Sequence, residues 1–200
     1  MFNFKNLLAR ALLALTLAAG AGAALAGPTY HVDVDTTALN GQTGYLDFLI
    51  VGQGDTATTT VTLSRLMGAF TGDVYTDNTS GSVAGATIGS AASLNEFGLV
   101  ANFGGTFSFD LSFAQAMDDI AGAFLQIALL NPNTFGYLSP TTGDIATFNV
   151  QPGQPIGLTA SSFARITLVP NAVDVPEPSD LAMMFTGLAL LGFTARRRVK

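Results

Sequence analysis

Thr106-Phe107-Ser108-Phe109-Asp110-Leu111-Ser112-Phe113 alternates polar and apolar side chains without a break. Successive side chains of an extended strand point to opposite faces, so Phe107, Phe109, Leu111 and Phe113 make a buried face and the other four a wet one. Residues 30–35 alternate in the same way, with Tyr30, Val32 and Val34 inward. Residues 45–51, 58–66, 121–130, 145–150 and 163–169 read as further strands, with weaker candidates at 83–88 and 98–103. Asn40-Gly41, Gly104-Gly105 and Asn131-Pro132-Asn133 supply turn chemistry between them. Helical signal is confined to 90–97 and 113–120, a turn or two each. This spacing predicts an all-β, antiparallel β-sandwich or jelly-roll-like single domain over 27–174.

Both ends of the chain are different in kind. Lys5 and Arg10 precede an apolar stretch, 11–24, and Ala24-Leu25-Ala26 offers a small-x-small cleavage site before Gly27. Residues 1–26 therefore read as a secretory signal peptide, an N-terminal helix handled by Sec-type export machinery. At the other end Val175-Pro176-Glu177-Pro178 holds the backbone extended. The 17 residues from Ser179 to Ala195 follow, with Asp180 at their outer edge and no other charge. As a helix they reach roughly 25 Å, near the lower limit for crossing a bilayer. Arg196, Arg197 and Arg198 then form a cytoplasmic stop.

In order and spacing, residues 175–200 resemble the PEP-CTERM sorting signal of exosortase substrates in Gram-negative bacteria. The resemblance implies that an exosortase-type membrane enzyme recognises Val175, Pro176, Glu177 and Pro178 and cuts near them. It also implies an inner-membrane-tethered precursor held by a C-terminal transmembrane helix. The mature form would then sit at the cell surface or in an extracellular exopolysaccharide matrix such as a biofilm. This signal is carried by many unrelated bodies, so it assigns no fold or activity to residues 27–174.

Composition narrows what the body can do. The chain has net charge −6 with 8 basic and 14 acidic residues. The terminal segments hold six of the basic residues and two of the acidic ones, leaving a body of net charge −10 with no lysine. Such a surface repels phosphates, which sets nucleic acid aside as a partner, and attracts divalent cations or basic groups. With no cysteine, an exported body must hold its fold by its core, and thiol chemistry and zinc–cysteine sites are excluded.

Chemistry-bearing motifs are sparse. His31, the only histidine, shares a strand face with Asp33 and Asp35, as expected for the solvated side of a first strand or for a weak metal site. Asp73 and Asp77 lie in a Gly/Thr/Ser-rich stretch, 72–81, read as a loop that could offer oxygens to calcium. Asp118-Asp119 reads as a helix cap. Gly81-Ser82-Val83-Ala84-Gly85 misplaces the serine of a nucleophile elbow, and no sequence feature gathers two carboxylates for glycoside hydrolysis. Tyr30, Tyr45, Tyr75 and Tyr137 are possible ligand contacts. The expectation is a non-enzymatic structural or adhesive protein without a cofactor; the alternative is a calcium- or polysaccharide-binding module.

Overall fold

A computed structural model of the chain describes residues 27–53, 59–92, 94–114, 121–138 and 140–170. The chain divides into two compact units, Met1–Val169 and Pro170–Lys200, and every described residue but Pro170 belongs to the first. The signal peptide, the sorting segment 175–200 and the Asp118-Asp119 cap lie outside the described residues.

In chain order the strands are β1 (Thr29–Asp35), β2 (Thr43–Gly52), β3 (Thr60–Met67), β4 (Phe70–Asp77), β5 (Ser80–Ser82) and β6 (Gly85–Gly89). They continue as β7 (Asn95–Asn102), β8 (Thr106–Ala114), β9 (Ala123–Leu130), β10 (Ala146–Val150), β11 (Gly157–Ala160) and β12 (Ala164–Val169). One short 3-10 turn, Thr37–Leu39, lies between β1 and β2. The strands form two six-stranded antiparallel sheets, ordered β12-β1-β8-β3-β6-β5 and β11-β10-β9-β2-β7-β4, in a β-sandwich-like arrangement. The ladders are nested: β1 pairs with β8, β2 with β7 and β3 with β6. Strand β12 returns to the free side of β1 and sets Val169 opposite Thr29.

The period-two pattern dictates what lies between the sheets. Phe107, Phe109, Leu111 and Phe113 of β8 are all buried, and so are Leu46, Phe48 and Ile50 of β2. Phe109 meets Phe48 edge-on with centroids 5.0 Å apart, joining one sheet to the other. Tyr30 and Phe113 of the first sheet lie 5.3 and 5.2 Å from Phe148 of the second. Each such ring withdraws enough apolar surface to contribute about 1.5–3 kcal/mol.

Two expectations change and one strand is added. The described residues of 90–97 form no helical turn: Asn95–Asn102 is β7, flanked by β2 and β4, because Phe97, Leu99 and Ala101 bury on alternate positions of the core face. Residues 72–81 are not a loop but most of β4 and β5, strands at or near sheet edges whose mainly exposed side chains hide the alternation. Strand β11 escapes a hydrophobic reading altogether, since all four of its residues are exposed.

The wet face of β8 holds a buried carboxylate. Asp110 is 1 % exposed, although alternation places it outward. His31 lies across from it on β1, and its Nδ1 approaches Asp110 Oδ1 to 2.6 Å. Arg65 of β3 pairs with Oδ2. Simple alternation after buried Leu63 would aim Arg65 into the core. Instead the β3–β8 register slips between Ser64 and Met67, and Arg65 adopts φ 53°, so the bulge turns its guanidinium outward onto Asp110. One carboxylate thus fastens β1, β8 and β3. Removing its arginine leaves Oδ2 of a desolvated acid without its partner, with His31 alone on Oδ1. Arg65→Ala should therefore cost about 1–3 kcal/mol in urea denaturation, against less than about 0.5 kcal/mol for exposed Arg165→Ala. Equal costs would show that the Asp110 pairing contributes nothing.

Candidate functional site

The outer face of the second sheet carries the richest side-chain chemistry. Strand pairing lays its residues in rows. Tyr75 of β4, Gly98 of β7, Asp47 of β2 and Ala128 of β9 are successive partners across four strands. The next row runs Asp77, Glu96, Leu49, Gln126 and Thr147. Tyr45 begins a third row beside Leu130. Gly98 makes room at the centre: a Cβ there would stand 3.3 Å from both Asp47 Oδ1 and the Tyr45 ring, close enough to press on them. The space it leaves lets an acid and an aromatic ring lie across β7.

A loop completes the face from above. Asn131 Oδ1 accepts the amides of Asn133 and Thr134 at 2.9 and 3.3 Å, and the Phe135 amide donates to the Asn131 carbonyl at 2.9 Å. This tight wind forces Phe135 to φ 54°, a conformation that costs a bulky residue about 1 kcal/mol or more. In return Phe135 folds onto the sheet, stacked on Tyr45 at 5.7 Å and 16° and lying 5.4 Å from Tyr75. Tyr45 and Tyr75 are themselves 6.0 Å apart. Phe135 and Tyr137 stay about half exposed, at 47 % and 49 %. The result is a contiguous aromatic platform open to solvent.

Acids and amides surround it. Asp47 is 4 % exposed beneath the platform. Burial, and then the Glu96 carboxyl hydrogen-bonded to it, push Asp47 up to about 8. At neutral pH it is therefore mainly protonated and donates to Glu96, one proton serving two carboxyls. Glu96 also holds the Tyr75 hydroxyl above its usual range, ahead of burial and Asp77. Asp144 accepts from Gln126 Nε2 at 2.5 Å and from the Tyr137 hydroxyl at 3.1 Å. Burial, followed by that Asp144 contact, raises Tyr137 as well. Beyond Asp144 opens a recess of about 260 Å³, bordered by the polar residues Thr141, Thr142, Ser161 and Ser162 and by Phe163.

The residues singled out from sequence are scattered by comparison. His31 Nε2 lies 3.4 Å from Asp33 Oδ1, on the far sheet, as part of the Asp110 network. Asp35 accepts the Thr37 amide at 2.9 Å, and that backbone bond lowers its ionisation range. Asp73 and Asp77 both lie on β4, where four residues of strand separate their α-carbons by about 13 Å. They do not form one ligand loop. Tyr30 turns into the core, whereas Tyr45, Tyr75 and Tyr137 share the platform face. Asp47 and Glu96 were not foreseen. The outward phase of 45–51 that holds Tyr45 also holds Asp47, whereas Glu96 lies in a stretch, 90–97, whose local pattern suggests a helical turn.

The acid pair makes stability depend on pH. Folding raises Asp47 from the ordinary carboxylate range, so between about pH 4 and 8 the folded state holds a proton that the unfolded chain has lost. The contribution is full below about pH 4 and disappears as pH rises through about 8. Denaturation of Asp47→Asn across that window should show a flatter pH dependence than the native sequence and a higher Tm at the alkaline end. Parallel pH profiles would contradict the shared proton. Compared with known protein families, characterised proteins and solved structures, the chain matches none.

Proposed function

We propose that this chain is an exported structural or adhesive protein of the cell envelope or exopolysaccharide matrix, and that its second sheet binds polysaccharide. The observation that carries the binding reading is the open platform of Tyr45, Tyr75 and Phe135, edged by Glu96, Gln126, Asp144 and Tyr137. Flat rings offer their faces to the C–H side of a sugar, and a few fixed polar groups take its hydroxyls. An open sheet face suits an extended polymer better than a small molecule. The nested ladders favour a jelly-roll-like sandwich as the carrier of this face.

Two other readings fit less well. Calcium at Asp73 and Asp77 lacks convergent ligands, for the reason of spacing given above. Glycoside hydrolysis needs carboxyls about 5–9.5 Å apart, a spacing that the touching Asp47–Glu96 pair does not provide. The delivery half of the proposal rests on the terminal motifs: residues 1–26 direct export, and Val175 to Pro178, the apolar segment and Arg196 to Arg198 direct exosortase-type processing.

The binding half is tested with the full-length chain in mild detergent against a panel of neutral and charged oligosaccharides. Tyr45→Ala and Phe135→Ala should each weaken binding by about tenfold or more. Leu168→Ala, at an exposed apolar residue of the other sheet, should not. Equal losses in all three would remove the platform from the proposal. For delivery, terminal-peptide mass spectrometry from the native host should find a start at Gly27 and an end near Glu177. The double change Pro176→Ala with Glu177→Ala should accumulate uncut chain, and unaltered processing there would sink the sorting assignment.

A further inference from the structure

Charge is divided between the two sheets. Arg65 and Arg165, the body's only lysine- or arginine-type cations, lie on β3 and β12 of the first sheet, as does His31 on β1. The second sheet has none: its strands and the turn before β10 carry Asp47, Asp73, Asp77, Glu96 and Asp144. Three of these, Asp47, Glu96 and Asp144, adjoin the aromatic platform. Asp47 has an acid, not a cation, as its side-chain partner. Asp144 is held by two neutral donors, Gln126 and Tyr137. Among the described residues, the Arg65–Asp110 ion pair and the His31 contacts to Asp33 and Asp110 all lie on the other sheet.

Aromatic faces also attract cations, more strongly with carboxylates alongside. An acidic sugar laid on this face would place its carboxylates against Glu96 and Asp144. A neutral sugar would leave their charge unanswered. From this complementarity, and resting on the polysaccharide reading above, we propose that the platform selects a polymer of amino sugars bearing free, protonated amines. The ring stacks on the exposed side of Phe135, which Tyr45 backs, and its ammonium group lies toward Glu96 or Asp144.

The test compares two probes that differ only in that charge: a glucosamine hexamer and its fully N-acetylated counterpart. Binding to the full-length chain in mild detergent is measured at mildly acidic pH. The free-amine hexamer should bind about tenfold more tightly, and the preference should shrink as salt is added. Glu96→Gln and Asp144→Asn should each reduce the preference, and Phe135→Ala should weaken both probes. Asp33→Asn, on the opposite sheet, should change neither. Equal affinity for the two hexamers overturns charge selection while leaving the polysaccharide reading intact. Absence of binding to either hexamer, with binding to other sugars of the panel, overturns the amino-sugar assignment alone. Absence of binding to every sugar overturns both. An equal loss in Asp33→Asn, or equal affinity for an oligolysine of the same charge, would reduce the effect to diffuse attraction and overturn the proposal.

Discussion

The pairing of Arg65 with Asp110 governs the charge map of the body. A buried carboxylate needs hydrogen-bonding partners within reach, and two are drawn to this one, the Arg65 guanidinium by a bulge and the His31 imidazole by strand register. In a body with two arginines and no lysine, that commitment leaves little positive charge for the rest. On the opposite face Asp47 meets burial without a cation and solves the problem differently, by keeping its proton and sharing it with Glu96. The same chemical group is thus handled in two ways, ion pairing on one sheet and neutralisation on the other. The difference follows from where the arginines fall in the sequence.

Between these faces the core is made almost wholly by phenylalanine and aliphatic side chains. Phe48 against Phe109 joins the middles of the sheets, and Phe113 with Phe148 and Tyr30 closes one side. Aromatic rings remove large areas from water per residue, which suits a body of this size without disulfides. Their rigidity also sets the stage for the outer face. A strand whose inward residues are locked in a packed core has little freedom to move its outward ones. The platform on β2, β4 and β7 inherits its positions from Phe48, Phe97 and Leu99 beneath it.

Much of this was legible along the chain. The alternation in 106–113 identified the buried phenylalanines, and that of 30–35 put His31 and Asp33 on one face, as found. What alternation lacks is neighbours, since a strand's faces do not reveal which strand lies beside it. Asp110 therefore read as an ordinary wet residue, and only the β1–β8 and β3–β8 ladders show why it is buried. Strands with one polar and one poorly covered face, β4 and β11, give no periodic signal and were missed. Glu96 was lost with the false helix at 90–97, where local propensity gave way to the burial of Phe97 and Leu99. The aromatic platform depends on a third kind of information, the left-handed Phe135 that folds a loop back onto the sheet. Asn131-Pro132-Asn133 announces a turn, but nothing in the residue types says that it carries Phe135 back onto the sheet.

The register of Val169 against Thr29 has a kinetic meaning. Strand β1 is the first segment of the body to be made, yet its partners are β8 and β12, the latter the last. The β1–β8 ladder waits for residues up to Ala114 and the β1–β12 ladder for residues up to Val169, so the contacts that seal this sheet are among the most distant in sequence. High contact order of this kind slows folding by orders of magnitude relative to locally paired chains. The first described strand of this fold is therefore held at an edge by the last one, and that edge of the sheet closes only when β12 arrives.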